Sequence, residues 1–533
     1  MNRNTDTFPL RTLASVAAHH SASIPQAVAV MCEGRRTTYA ELDHRSGRTA
    51  HHLVALGVVR GSRVAYLGKD SEDYYELLLA CARIGAVLVP INWRLTSPEI
   101  QHILRDSDAK LVFVESALVG TVDQVKESLP ALEGIIPLKQ PGRQEDGLQG
   151  WNAGTPESTF LSEPSAEDPL VQIYTSGTTG MPKGVVLTQQ GFFVVRELLA
   201  RNGLDWIDWL PDDKSLVGMP GFHIGGLWWF IQGFCAGVTN VIMPTFDSRK
   251  AVELIRSHHV TTICVVPAML QMMLSERETE AGGFPSLRKV TYGGSPISGR
   301  LLQECMDVFQ CGFAQIYGLT ETGNTAVCLP PERHVPGGSH TEAAGIPYPG
   351  IQLEIRDEKG VPLPVGAVGE VCIKTPARML GYWKLPEATS ETLVDGWIRT
   401  GDAGYLDAEG YLFICDRIKD MIITAGENIY PAEIENALAT HPSIKECAVI
   451  GIPDDRWGEV VSAYVVPRPG AHVTARDLML FLRGRIADFK IPRQFNIIDQ
   501  VPRNASGKIL RRKLRSTVAD MPGRSPHIAD ERK

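Results

Sequence analysis

Residues 174–184 read YTSGTTGMPKG, with the apolar runs VQI (171–173) and VVL (185–187) on either side. The β-branched run predicts a strand that empties into a loop holding three glycines, the hydroxyls of Thr175, Ser176, Thr178 and Thr179, and the ammonium of Lys183. Glycines let successive backbone N–H groups turn inward, hydroxyls add donors and a lysine adds charge, a set that suits a polyphosphate. It is not a Walker loop, because Lys183 is followed by Gly184 and not by Ser or Thr. It is not a nucleophile elbow, since no GxSxG surrounds Ser176, and YGGSPISG (292–299) lacks the GxGxxG dinucleotide spacing.

Around this loop, short β-branched runs alternate with helical patterns. RVAYLG (63–68), the helical DYYELLLACARIG (73–85), AVLVPIN (86–92), the helical SPEIQHILRDS (97–107) and KLVFVE (110–115) follow one another. This rhythm predicts a layered α/β fold with buried, largely parallel strands. Residues 139–168 read as a loop, and 345–415, with turns at PYPG, DEKG, PLPVG and DAEG, as a small β-rich subdomain. After DRIKD (416–420) the pattern becomes α+β, with a helix expected over 473–489 and a frayed tail from 519. The expected division is a large N-terminal domain, 1–416, and a smaller α+β C-terminal domain, 417–533.

The 533 residues carry a formal net charge of −8, which argues against a broad nucleic-acid surface. None of the ten cysteines forms a CxxC pair, and most sit in apolar surroundings, which fits buried thiols in a reducing, cytoplasmic compartment. The most apolar long run, 227–243, is interrupted by Gln232, Thr239 and Asn240 and reads as core, not as a membrane span. The histidine pairs lack an HExxH or cysteine partner, so no transition-metal site is expected.

Further phrases follow the loop in order: GGSP (293–296), QIYGLTET (315–322), WIRTGD (397–402), DRIKDMI (416–422), GENIYPAEIE (426–435) and PRNASGKILR (502–511). The series resembles that of the adenylate-forming superfamily, which includes acyl-CoA synthetases, peptide-synthetase adenylation domains and firefly luciferase. The likeness runs from residue 35 to residue 515 and is nearest to fatty acyl-CoA synthetases. It implies an ATP- and Mg²⁺-dependent ligase working in two steps. A carboxylate attacks the α-phosphate of ATP, pyrophosphate leaves, and a thiol, that of coenzyme A in the main reading, then displaces AMP from the acyl-adenylate. An anion meets a polyanion in the first step, so charge neutralisation should dominate.

The resemblance also implies roles. Thr175, Ser176, Gly177, Thr178, Thr179, Gly180 and Lys183 would hold the β- and γ-phosphates, and Glu321 the Mg²⁺, with Thr320 beside it. Tyr317 would lie against the adenine, with Gly318 next to it and Gly294, Ser295 and Pro296 as the opposite wall. Asp402 would bind the ribose, and Arg417 the ribose or phosphate. Lys508 would bridge the substrate carboxylate and the α-phosphate, and Lys419 would be the hinge about which the C-terminal domain swings between half-reactions. Ala425, Gly426 and Glu427 would line the thiol tunnel, where relatives more often carry Gly-Gly before the Glu; Gln189 stands where they carry His.

The acyl pocket is expected from His223, Trp228, Tyr292, Gly323 and Asn324, with Gly318 and Gly323 leaving room for a chain or ring. Amino-acid-activating relatives place an Asp where this chain has Ile224, and an ammonium unpaired there would be costly, so an apolar acid is expected, fatty before aryl or short-branched. The alternatives are a stand-alone enzyme that loads a carrier protein and, remotely, a degenerate binding protein. A homodimer and peripheral membrane contact are left open.

Overall fold

The computed structural model describes residues 10–138, 147–154, 163–175, 181–277, 283–295, 297–335, 337–424, 427–454, 457–503, 509–511 and 513–515. Two large sheets organise the N-terminal part. One runs Gly381–Tyr382, Lys183–Thr188, Pro169–Thr175, Val87–Ile91, Arg63–Leu67, Leu111–Glu115, Gly134–Leu138. The other runs Ile346–Pro347, Val327–Leu329, Gly312–Tyr317, Lys289–Gly293, Thr262–Val265, Lys214–Val217, Thr239–Ile242, Val28–Cys32, Arg35–Thr38. Their central strands pair in parallel, and antiparallel strands close both edges of the second sheet and the Gly381–Tyr382 edge of the first, the arrangement that alternating strands and helices imply.

The helix Glu72–Ile84 explains why the sheets stack. Ser71 caps it, Gly85 ends it in the left-handed region at φ 67°, and nearly every side chain between is buried. It lies between the two sheets, touching strand Val87–Ile91 of one and Val28–Cys32 of the other. The central core includes inner-face residues of both sheets, such as Leu88, Val171 and Val185 with Val30, Cys264 and Ile316. Two more apolar cores cover the outer faces. Helices Ser248–His258, Pro267–Arg277 and Gly299–Phe309 cover one, and Ser97–Asp106 and Val119–Asp123 the other. The result is five alternating layers of helix and sheet.

The expected β-rich part is the antiparallel sheet Gln352–Arg356, Gly369–Lys374, Trp397–Leu406, Leu393–Val394, with Leu412–Arg417 paired to Trp397–Leu406. The C-terminal part has a sheet of Glu427–Ile429, Ile422–Thr424, Gly458–Pro467 and Ile444–Asp454, with Gln494–Ile497 parallel to Gly458–Pro467 and helices Pro431–Ala439 and Ala475–Leu482 on one apolar face. The run 227–243 is core, as the helix Ile224–Ala236 and the strand Thr239–Ile242. Two expectations fail locally. The helix expected over 473–489 stops at Leu482, because Arg483 turns extended and Gly484 takes φ 72°. The expected loop 139–168 contains a helical turn, Leu148–Trp151, whose first N–H binds the Asp73 carboxylate at 3.2 Å. Among the described residues the ten cysteines are free, eight of them buried, and no helix is long and apolar enough to cross a membrane.

Candidate active site

Strands Pro169–Thr175 and Lys183–Thr188 are antiparallel neighbours, and Thr175 stands opposite Lys183 in the ladder. The glycine-rich segment therefore joins the two ends of a hairpin, and its lysine is fixed by strand pairing. On the outer side of Lys183–Thr188 the edge strand Gly381–Tyr382 pairs Tyr382 with Val185. The Tyr382 ring lies 4.6 Å below the Lys183 ammonium, and its hydroxyl donates to Glu321 Oε1 at 2.7 Å. Burial and the Glu321 charge push the Tyr382 pKa up, so it remains a donor. Glu321 sits in the 3₁₀ turn Thr320–Thr322 beside Thr320, and its carbonyl accepts from Met379 N at 2.8 Å. One tyrosine thus ties the strand carrying Lys183 to the turn carrying Glu321. Among the described residues Lys183 has no carboxylate within ion-pair distance and Glu321 Oε2 accepts no hydrogen bond. A cation without a counter-ion and a hard oxygen donor with capacity to spare, about one ring, fit a phosphate and a divalent cation.

The second cluster is built on register. Asp402 and Arg417 face each other across strands Trp397–Leu406 and Leu412–Arg417, and Arg417 Nε lies 2.6 Å from Asp402 Oδ1. Tyr317, ending strand Gly312–Tyr317, donates to Asp402 Oδ2 at 2.7 Å. Asp402 is buried, its N–H bonds Thr400 Oγ1 at 3.1 Å, and the Thr400 carbonyl accepts from Arg417 Nη1 at 3.4 Å. Burial and the neighbouring carboxylate raise Tyr317 well above the usual phenol range. The structure thus unites Tyr317, Asp402 and Arg417, although Tyr317 lies 85 residues before Asp402 in the sequence. Each carboxylate oxygen keeps a second lone-pair direction for a ribose hydroxyl. Gly294, before Ser295, takes φ 80°.

The acyl-pocket set divides. His223 caps the helix Ile224–Ala236, and its Nε2 is buried without a partner. Burial, with the positive Arg94 nearby, holds its pKa down to about 4, so the ring is neutral at ordinary pH. Asn324, at φ 91° and with Nδ2 also buried and unpartnered, meets this helix: its Oδ1 lies 3.8 Å from where a Cβ on Gly225 would stand. Trp228 is on the same helix but lines a separate cavity of about 310 Å³ with Val195, Leu199, Ile207 and Trp209. Tyr292 does not face the pocket. Side chains alternate along strand Lys289–Gly293, and Tyr292 points with Val290 into the core under Phe313, bonded to Gln315 Oε1 at 3.0 Å and His334 Nε2 at 3.1 Å. Nor do Gly318 and Gly323 leave room: a Cβ on Gly318 would strike the Asn324 carbonyl, and one on Gly323 would lie 2.5 Å from the Ala377 carbonyl oxygen. These glycines permit close backbone packing.

Ser176, Gly177, Thr178, Thr179, Gly180, Pro296, Ala425, Gly426 and Lys508 lie outside the described residues, as do the side chains of Lys419 and Glu427. The backbone at Lys419 forms the 3₁₀ turn Ile418–Asp420 directly after Arg417. Gln189 takes up a structural post, its Oε1 accepting from Leu13 N at 2.9 Å. Sequence reasoning missed Tyr382 and Asp70. The two Asp70 oxygens accept from Gly221 N at 3.1 and 2.8 Å, and Tyr74 donates to the Gly221 carbonyl at 2.7 Å, clamping the turn that delivers His223. An aspartate between a strand and a helix cap carries no signal of such a distant partner.

The chain is 55% identical over 511 residues to a fatty acid–[acyl-carrier-protein] ligase of Streptomyces coeruleorubidus, spanning 95% of this chain and 96% of that one. It is 37% identical to a feruloyl-CoA synthase of Amycolatopsis, over 92% and 96% of the two chains. The Bacillus subtilis O-succinylbenzoate coenzyme A synthetase solved with ATP and magnesium superposes with a TM-score of 0.81 at 31% identity, covering 94% and 98%. The family model for AMP-binding enzymes matches residues 17–383, and that for their C-terminal domain residues 433–508. Motifs strung along the sequence, five alternating layers and a carboxylate–tyrosine–arginine cluster beside a glycine-rich hairpin lead to the same place: the chain belongs to the AMP-binding enzyme family of adenylate-forming acid ligases.

Proposed function

We propose that the protein adenylates an apolar monocarboxylic acid and passes the acyl group to the phosphopantetheine thiol of a carrier protein. The observation that carries this reading is the 55% identity, along nearly the whole chain, to a ligase that acts on fatty acid and acyl carrier protein. A neutral His223 followed by Ile224 supports an acid without an α-ammonium. Coenzyme A as acceptor is the second reading, favoured by the 37% identity to a CoA synthase.

In the first half-reaction the acid's oxygen bonds to the α-phosphorus of ATP and the bond to the β-phosphate oxygen breaks, releasing pyrophosphate. In the second, the sulfur bonds to the acyl carbon, the thiol proton is lost and AMP leaves with the oxygen. Thr175, Lys183 and the 176–180 segment hold the phosphates. Glu321, oriented by Tyr382, holds Mg²⁺, which when bound neutralises phosphate charge. Asp402, held by Tyr317 and Arg417, accepts from the ribose hydroxyls. Lys508 brings its ammonium from a C-terminal domain, 417–533, that turns against the N-terminal domain, 1–416, about Lys419.

A panel of carboxylic acids, followed by pyrophosphate release with ATP and Mg²⁺, tests the first step; a holo-acyl carrier protein or CoA, supplied in parallel, tests the second. Straight-chain apolar acids should release pyrophosphate, amino acids should not, and thioester should accumulate faster on the carrier. Thioester on CoA alone would replace the acceptor; no turnover with any acid would end the reading.

A further inference from the structure

We propose that the exposed arginine face of helix Ala475–Leu482 and the turn after it is a docking surface for an acidic carrier protein; this rests on the carrier-protein reading above. Thr474 and Asp477 cap the helix, and Leu478 and Leu482, both 0% exposed, anchor it on the C-terminal sheet. Arg476, Leu480 and Arg483 follow at i, i+4 and i+7, so they share the opposite side. Leu480 is 52% exposed, and Phe489 beyond the turn 50%. The Arg485 guanidinium lies 4.2 Å over the Phe481 ring.

Charge decides what could cover this face. The whole chain is acidic, at −8, yet residues 475–493 hold five Arg or Lys against two Asp. One acid, Asp477, is engaged by the Thr474 hydroxyl and N–H at 2.7 and 3.0 Å, and Lys490 is neutralised by Glu433 at 2.7 Å. Among the described residues Arg476, Arg483 and Arg485 have no carboxylate within 4.0 Å. Long cations without an ion-pair partner on the same stretch as an exposed leucine and phenylalanine match the composition of a protein interface, an apolar centre with a charged rim. The complementary surface is acidic with an apolar patch. Coenzyme A offers phosphates but no apolar surface broad enough for Leu480 and Phe489, so a protein that carries the thiol fits better. The face belongs to the same C-terminal unit as the PRNASGKILR segment, so a carrier seated there would travel with it.

The test uses the full-length enzyme and three readouts: ATP–pyrophosphate exchange with one good acid, acyl loading of a bacterial holo-acyl carrier protein, and thioester formation on CoA. Arg476→Glu/Arg483→Glu/Arg485→Glu should raise the KM for the holo-carrier about tenfold or more and abolish its dependence on salt, leaving exchange and the CoA reaction within twofold. The milder glutamine triple variant and Leu480→Ser should each show part of the effect. They decide the case if charge reversal damages the fold and exchange falls with it. Wild-type loading in the glutamine and serine variants would overturn the proposal, as would equal losses with CoA, or lost binding to phosphatidylglycerol vesicles with loading intact. A wild-type enzyme that loads CoA but no carrier would instead remove the acceptor reading on which the surface depends.

Discussion

At the scale of single residues, the site divides into what adjacent letters reveal and what only folding reveals. Lys183 sits in a contiguous phrase whose composition suits a polyphosphate, whereas Glu321 is singled out only by the resemblance that QIYGLTET carries. Tyr382 is not legible, because its meaning comes from the pairing of Gly381–Tyr382 with Lys183–Thr188 and from a hydrogen bond reaching 61 residues back to Glu321. Tyr292, expected in the acyl pocket, packs with Val290 and Phe313 in the outer core, because the side of a strand that a residue occupies is fixed by pairing and not by its neighbours in sequence. The Tyr382 hydroxyl holds one oxygen of the proposed metal ligand and leaves the other available. Replacing Tyr382 with Phe keeps the ring beneath Lys183 and deletes that bond, worth roughly 1.5–3 kcal/mol for a charged acceptor. ATP–pyrophosphate exchange by Tyr382→Phe should therefore fall about ten- to a hundredfold in kcat/KM. The Mg²⁺ requirement should rise and the KM for the acid should stay put. Exchange at the wild-type rate would show that Glu321 needs no such support.

At the scale of elements, the alternation of strands and helices over 63–115 was readable because each period ran for a full element between clear stops. The end of the Ala475–Leu482 helix was not, since Leu482 and Ile486 continue the apolar spacing across Gly484, whose left-handed backbone overrules it. Connections between elements were also hidden, and the Asp70 clamp is one. Asp70 lies between the strand Arg63–Leu67 and the helix Glu72–Ile84, yet it holds the turn at Gly221, 151 residues away. Burial, only partly offset by the Gly221 and Tyr75 hydrogen bonds, raises its pKa from 3.8 to about 7. Between those values the folded protein keeps a proton that the unfolded chain has released, so this group's contribution to stability falls as pH rises through the window and levels off above it. His20, His223 and His334, each lowered to about 4, act in the opposite sense below their ordinary 6.5: the unfolded chain takes up the protons, and stability rises with pH. Asp70→Asn removes only the first slope, because the histidines are common to both proteins. The Tm difference, variant minus wild type, should thus shift in the variant's favour between about pH 5 and about pH 8. A difference that holds constant across that range would mean that Asp70 is ionised throughout in the folded state.

At the scale of the whole molecule, the proposed division of labour between two unequal parts would follow from where charge is stored. The N-terminal part supplies Lys183, Glu321 and the Asp402 cluster, while the segment that carries Lys508 belongs to the C-terminal part. The stretch around their junction carries an ionic cluster. Arg511 pairs with Glu435 at 2.8 Å and reaches Asp416 and Asp420 at 4.0 and 3.9 Å, on either side of Lys419. Burial raises the pKa of both Asp416 and Glu435, and the Arg511 charge opposes that rise in each. Arg511, three residues after Lys508 in the sequence, thus reaches carboxylates on both flanks of Lys419, a contact through which the proposed hinge would act on the proposed catalytic lysine. If alternation about Lys419 serves the two half-reactions in turn, Lys508 matters only for the first, in which negative charge accumulates between the carboxylate and the α-phosphate. Lys508→Ala should then lower adenylate formation by several orders of magnitude, as loss of a transition-state cation does, and leave thioester formation from synthetic acyl-adenylate nearly intact. Single-turnover assays of each half-reaction separate the two. Equal losses in both would mean that the lysine stays in the site throughout, and the case for a turning C-terminal domain would lose its chemical reason.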